Sequence, residues 1–251
     1  MRKLLAALYS TLVYVLFLGV FLYAIGFVEN VFVPKSIDSG SSGPLALSLT
    51  IDAALLLLFA AQHSIMARPG FKRVWTRIVP QEIERSTFVL FASLALALVC
   101  WQWRTLPPSV WSIEDPIVAK ALLVVSWSGW GMLLLSTFLI SHFHLFGLSQ
   151  GFARLLGIEA PEPAFVTPLL YRWLRHPIYA GFILAFWAAP RMSLGHLFFA
   201  LGTTVYIFVG IWFEERDLIA YFGDRYRQYR ATVGMLVPRI RVASPHKGDA
   251  Y

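Results

Sequence analysis

The chain has 251 residues, of which 58% are hydrophobic and only 14% charged, with a mean hydropathy of +0.65 and a formal net charge of +7. Soluble domains carry roughly 25% charged residues, so a water-soluble fold of this size could not hide so much apolar surface. The same balance leaves no soluble basic domain of the kind that nucleic-acid binding requires.

The apolar residues come in blocks, each bounded by charge or proline. Leu4 to Val28 holds no charge, Pro44 to Met66 only Asp52, Ser86 to Trp103 none, and Ile117 to Ile140 only Lys120. Each is long enough to cross a hydrocarbon core about 30 Å thick. The first is too long for a signal-peptide core and has no clean small-residue cleavage site, so it reads as a retained helix. Asp38-Ser-Gly-Ser-Ser-Gly-Pro44 is a linker between the first two spans, and Thr105-Leu-Pro-Pro108 ends the third. Ser141 to Arg175 is too polar to span yet carries Phe143, Leu145, Phe146, Leu148 and Phe152, the pattern of an amphipathic piece at the interface. Pro161-Glu-Pro163 then turns the chain. Ile178 to Pro190 is a short apolar block that need not cross fully, and Met192 to Phe213 is a full one. The tail from Glu214 to Arg230 has helical character and stops at Pro238.

Seventeen of the 21 Lys and Arg fall on the side of the N-terminus if the six blocks form six crossings, against four on the other side. The positive-inside rule then predicts both termini in the cytoplasm, with the positive charge facing anionic lipid. Cys100, the single cysteine, lies within an apolar block and is expected to be a buried small hydrophobe. The expectation is a single all-α, polytopic membrane domain of five to six transmembrane helices. Residues 1–140 supply four spans, 141–175 an interfacial segment, and 176–240 a hairpin and tail around a cytoplasmic pocket.

Polar residues that abut membrane blocks are costly and therefore informative. Gln62-His63-Ser64 and Arg68 close the second block, and Glu82, Glu84, Arg85 and Ser86 open the third, so His63, Arg68, Glu84 and Arg85 can meet at one depth. A third group reads Arg175-His176-Pro177-Ile-Tyr179-Ala-Gly181. Pro177 suits a helix start, and Gly181 permits a close approach of backbone or ligand. Glu214 and Glu215 are expected to close the return helix and face His176 across a pocket. His142 and His144 are two residues apart, on different helix faces, and no metal site is expected.

The run from Arg175 to Gly181, followed by Glu214-Glu215, Phe222-Gly-Asp-Arg-Tyr226, Tyr229 and Pro238, resembles the isoprenylcysteine carboxyl methyltransferase superfamily. Gln62-His-Ser-Ile-Met-Ala-Arg68, Glu84-Arg-Ser86, Trp111 and Phe143-His-Leu-Phe-Gly-Leu-Ser-Gln150 resemble the methanethiol S-methyltransferases and nurim-like proteins. The resemblance implies S-adenosylmethionine as cofactor, held by Arg175, His176, Pro177, Tyr179, Gly181, Glu214, Glu215, Tyr226 and Tyr229. It implies a small apolar thiol as acceptor, methanethiol giving dimethyl sulfide, with His63 as base, Arg68 or Arg85 stabilising the thiolate and Glu84 orienting them. The lipid bilayer is the expected partner, with no obligate protein partner. Alternatives are another small thiol, a selenol or an isoprenylcysteine-type acceptor, a sterol-reductase-like NADPH site, or a non-catalytic nurim-like membrane protein.

Overall fold

A computed structural model describes residues 1–158 and 165–239, so the Pro161-Glu-Pro163 turn lies outside the described residues. The chain is an all-α integral membrane protein. Five helices are long and apolar enough to span: α1 (Arg2–Glu29), α2 (Leu45–Ala67), α4 (Gln81–Gln102), α5 (Pro116–Ile140) and α9 (Leu194–Phe222). Between and after them lie the short helices α3 (Pro69–Trp75), α6 (His142–Leu145), α7 (Leu148–Leu156), α8 (Pro177–Trp187) and α10 (Asp224–Thr232). Helices dominate because lipid offers no partner for an unpaired backbone group.

The boundaries follow local chemistry. Asn30 ends α1 in the left-handed conformation (φ 58°), its N–H bonding to the Gly26 carbonyl. Arg68 is extended before Pro69, which opens α3. Glu82 and Glu84 sit in the first turn of α4, where the helix dipole favours acids. Asp115 caps α5, accepting from the N–H groups of Ile117 and Val118 at 2.8 and 2.9 Å. Ser193 caps α9 through the N–H of His196 at 3.0 Å.

The return helix does not stop at Glu214-Glu215 as its charge suggests. It runs on as α9 to Phe222, and the chain turns at Gly223, which has φ 58°. Charge marks where α9 leaves the apolar layer, whereas the turn needs a residue that tolerates positive φ. The Glu pair therefore sits within a helix rather than at its negative end.

At 11 residues α8 is only about 16 Å long, too short to span by itself, and residues 188–193 carry the chain on to the end of the bundle where the loop after α4 lies. It lies against α5 with unusual closeness. A methyl group on Gly129 would come 2.6 Å from the Gly181 carbonyl oxygen, and one on Gly181 would come 2.6 Å from that of Gly129. Gly181 thus serves a helix–helix contact of the small-residue type that lets backbones approach in a membrane. Two short antiparallel strands, β1 (Ser109–Ser112) and β2 (Arg191–Ser193), tie the far end of α8 down, pairing Trp111 with Met192. The Trp111 Nε1–H donates to the Ala189 carbonyl at 3.0 Å.

The main core lies towards this far end, with Phe27, Val99, Cys100, Trp103, Trp130, Phe186 and Phe199 buried together. A smaller one, with Val13, Met66, Phe88 and Val89, lies nearer the face that carries the N-terminus. There α7 packs on α1 and α4, the Ser10 and Ser86 hydroxyls bond to one another across α1 and α4 at 2.8 Å, and Ser86 Oγ lies 3.2 Å from the carbonyl of Gly147, which caps α7. The amphipathic stretch expected from Ser141 onward is therefore real as α7, and one of its faces is built into the bundle.

Gly129→Ala is expected to lower the melting temperature in detergent, since overpacking costs about 1–3 kcal/mol. Gly131→Ala, on the same helix with no atom within 4 Å of the added methyl, should leave it unchanged.

Candidate functional site

Glu215 gathers three basic side chains. Its Oε1 accepts from Arg175 Nε at 2.7 Å and lies 3.1 Å from His176 Nε2, while its Oε2 lies 3.2 Å from Arg230 Nε. Arg175 and Glu215 are almost wholly buried, so each requires the other. Arg175 further donates through Nη1 to the carbonyls of Arg230 (3.0 Å) and Val233 (2.6 Å). The backbone N–H groups of Arg175 and His176 bond to the Gly234 and Met235 carbonyls. The tail after α9 is thereby locked onto the segment that enters α8. Pro177, at the first position of α8, places His176 as its cap, with a side chain only 3% exposed.

Aromatic residues close the same region. Tyr229 donates to the Tyr171 carbonyl at 2.6 Å, and burial pushes its phenol up to about 12. Tyr226 is 2% exposed and its hydroxyl has no partner among the described residues. Burial, then the carboxylates of Glu215 and Glu214, raise its phenol well above the ordinary value, so it stays a neutral donor. Glu214 points the other way from Glu215. It accepts from Tyr179 Oη at 2.9 Å and lies 3.9 Å from His176 Nδ1, yet 43% of its side chain is exposed.

The His63 group meets this cluster along one stripe of α9. Tyr206 packs edge-on to the His63 and Phe59 rings, and its hydroxyl lies 3.3 Å from Ser64 Oγ. One turn on, Gly210 leaves room for the Tyr179 hydroxyl. Next come Phe213, with the Arg68 guanidinium 5.0 Å over its ring, and Glu214, which holds Tyr179. Asp217 closes the stripe with a 2.9 Å ion pair to Arg68. Positions 206, 210, 213, 214 and 217 share a helix face. His63 itself is stacked on Phe59 and lies 5.0 Å from the Phe88 ring, with Nδ1 buried and unpartnered among the described residues.

Arg85 stands beside Phe88, its guanidinium 4.8 Å over the ring against which His63 also packs and its Nε donating to the Leu145 carbonyl at 2.7 Å. Glu84 is turned away. It lies 3.6 Å from Lys72 in a neighbouring cavity of about 380 Å³ that Gln81, His144 and Gln150 also line. Burial, with Arg85 and Lys72 nearby, holds His144 below the ordinary histidine value. His142 faces elsewhere, bonding to Tyr14 (2.9 Å) and Thr137 (2.8 Å). The structure therefore sets His63 and Arg68 along the α9 face that also carries Glu214, keeps Arg85 beside Phe88 in the cavity it shares with Glu84, and leaves Gly181 with a helix–helix contact. Tyr206, Asp217 and Arg230 join the site without having been singled out from sequence. The spacing of Tyr206, Glu214 and Asp217 on one helical face was the available signal.

Chemically, the cluster offers a partly exposed carboxylate, an unpaired buried phenol and aromatic walls on one side. On the other it offers an unpaired imidazole nitrogen between two guanidinium groups. In sequence the chain is similar to known proteins, two of them over nearly its full length. The chain is 56% identical over 236 residues to methanethiol S-methyltransferase 1 of Bradyrhizobium diazoefficiens, covering 94% of this chain and 83% of that protein. It is 51% identical over 238 residues to methanethiol S-methyltransferase of Mycobacterium tuberculosis, covering 95% and 98%. It is 32% identical over 185 residues to nurim of Mus musculus, covering 68% of each. No family model and no solved structure matches it.

Because Glu215 neutralises buried cations, Glu215→Ala should destabilise the fold by about 3–5 kcal/mol, read as a marked fall in melting temperature. Glu214→Gln, at the exposed carboxylate, should leave the melting temperature nearly unchanged.

Proposed function

The chain belongs to the methanethiol S-methyltransferase family, and on that premise we propose that it transfers a methyl group from S-adenosylmethionine to methanethiol. The products are dimethyl sulfide, S-adenosylhomocysteine and a proton. The observation that carries this reading is the stripe of α9 from Tyr206 to Asp217, one face of which carries both the Tyr206 ring that packs on His63 and the Glu214 carboxylate that holds Tyr179. A donor site and an acceptor site must abut for an in-line displacement, and such positioning can supply much of the acceleration.

The residues present fit the donor. Glu214 keeps one carboxylate oxygen free of protein partners among the described residues, and Tyr226 keeps its hydroxyl free. These suit a ligand bearing an ammonium group and ribose hydroxyls. S-adenosylmethionine supplies, when bound, a methyl group already activated on a sulfonium sulfur. Arg175, His176 and Glu215, locked by mutual bonds, keep the wall of the site rigid, and Pro177 and Gly181 fix the start of α8 that carries Tyr179. Tyr226 and Tyr229 exclude water from the same side.

On the acceptor side the thiol must lose its proton. An ordinary cysteine thiol has a pKa near 8.5, and a simple alkyl thiol is higher, so little thiolate exists unaided at pH 7. His63 Nδ1 takes that proton, while the guanidinium groups of Arg68 and Arg85 favour the anionic sulfur. Glu84 acts at a distance, by balancing Lys72. The charged donor reaches the site from water and the apolar thiol from the bilayer. The excess of Lys and Arg at this face supports a cytoplasmic location for it and for both termini, in a bacterial inner membrane. The whole chain works as one methyltransferase unit, with residues 1–140 forming the acceptor side and residues 176–240 the donor side.

Protein purified in detergent and given methanethiol and S-adenosylmethionine should yield dimethyl sulfide in the headspace. His176→Ala should lose both product and donor binding by calorimetry. His63→Ala should retain donor binding while kcat falls by about 10²–10⁴. Donor binding without product from methanethiol would reject that acceptor and point to another small thiol or a selenol. Full activity in His63→Ala would remove its role as base.

A further inference from the structure

The cavity of about 380 Å³ beside the first turn of α4 holds more positive charge than the fold balances. Lys72 and Arg85 both line it. Arg85 is partly buried and donates through Nε to the Leu145 carbonyl. Its two terminal nitrogens have no hydrogen-bond partner, and no carboxylate at ion-pair distance, among the described residues. Glu84 is the one acid on the cavity wall among the described residues, and it lies 3.6 Å from Lys72 Nζ. Glu82, two residues earlier, is engaged by Arg154 at 3.5 Å.

These groups are close enough to act on one another. Burial lowers the Lys72 ammonium from its usual value; Glu84 opposes that shift and Arg85 adds to it. Burial, then Arg85 and Lys72, hold His144 below the ordinary histidine value, so its ring is neutral at pH 7 and adds no charge. Two cations against one carboxylate leave the cavity one positive charge in excess. The free end of a guanidinium is a planar fork that matches two oxygens of an oxyanion.

The position of the cavity selects the anion. It lies beside residues 81–85, immediately before the charge-free run from Ser86 to Trp103, and so at the level where head groups meet the apolar layer. Val74 and Ile78, on the same connection as Lys72, are 58% and 77% exposed, as contact with acyl chains requires. Basic pockets between membrane helices at a cytoplasmic face take lipid phosphate groups, and the volume falls in the range of small-ligand sites, roughly 300–1,000 Å³. We propose that this cavity binds a phosphate group that carries hydroxyls, as in the glycerol phosphate of an anionic phospholipid head group or its free form. Arg85 and Lys72 take the phosphate oxygens, and Glu84 accepts from a hydroxyl. Arg85 also serves the acceptor side of the proposed reaction, so binding and not turnover is the readout, and the site stands whether or not methanethiol is the acceptor.

Thermal unfolding of the full chain in detergent tests this directly, with dioctanoyl phosphatidylglycerol, dioctanoyl phosphatidylcholine and glycerol 3-phosphate as probes. The two lipids share tails and a phosphate diester, but the choline brings a cation and no hydroxyl. The glycerol lipid should raise the melting temperature by several degrees more than the choline lipid, because a ligand that binds the native state stabilises it. Lys72→Gln and Arg85→Gln should each remove most of that difference. The Lys72 side chain is 33% exposed, so the first variant decides the matter even if the second folds poorly. Arg73→Gln and Arg77→Gln, at exposed cations of the same connection, should leave the difference intact. A shift with glycerol 3-phosphate equal to that with the glycerol lipid would identify the free phosphate as the ligand, and no shift with it would identify the lipid. Equal shifts from the two lipids, or a preference undiminished in Lys72→Gln, would overturn the proposal. So would a preference lowered as much by Arg73→Gln and Arg77→Gln as by Lys72→Gln, which would show attraction to diffuse surface charge in place of a site.

Discussion

A single carboxylate organises the functional end of this molecule. Glu215 lies on a membrane helix, and burial there makes its charge tolerable only with partners at hydrogen-bonding distance. It has them in Arg175, His176 and Arg230. Because these three come from the entrance to α8 and from α10, satisfying one charge also fastens two segments to α9. The backbone bonds of residues 175 and 176 to Gly234 and Met235 reinforce that fastening. The placement of residues 233–235 and the depth of His176 follow from it.

The second requirement is close backbone packing. Lipid is as apolar as leucine, so helices gain nothing by merely hiding apolar surface from it, and contact must come from shape. Glycine at 129 and 181 supplies that shape for α5 and α8, and Ser10, Ser86, Gly147 and Gly151 do so where α7 enters the bundle. A helix as short as α8 could not be held by length alone. Its strand tether at one end and ionic anchor at the other compensate, and they leave its first turn as a rigid rim for the site.

Much of this was legible in the sequence, because a membrane simplifies the problem. The apolar block Ile117 to Ile140 became α5 almost residue for residue, and the block from Leu4 became α1, since only helices satisfy backbone groups in hydrocarbon. The charge-free criterion started α4 too late, at Ser86 rather than Gln81, because a helix continues into the head groups while its charges do not stop it. The same criterion ended α9 too early at Glu214-Glu215, when the signal that mattered was Gly223. The pairing of His176 with Glu215 followed from the hairpin. The partner of Gly181 did not, because Gly129 is distant in sequence and nothing local marks it. Tyr206 was hidden for a similar reason: a tyrosine in an apolar run looks like core until the residues facing it are known.

At 29 residues α9 is about 44 Å long, well beyond the roughly 30 Å of hydrocarbon it crosses. Its surplus length carries Glu214, Glu215 and Asp217 as a continuous rod from the layer that anchors it. A rod embedded in a fluid of finite thickness tilts when that thickness changes, and every side chain on its protruding end swings with it. The protruding end of α9, with its three carboxylates, therefore stands at a height above the head groups that the thickness of the bilayer sets.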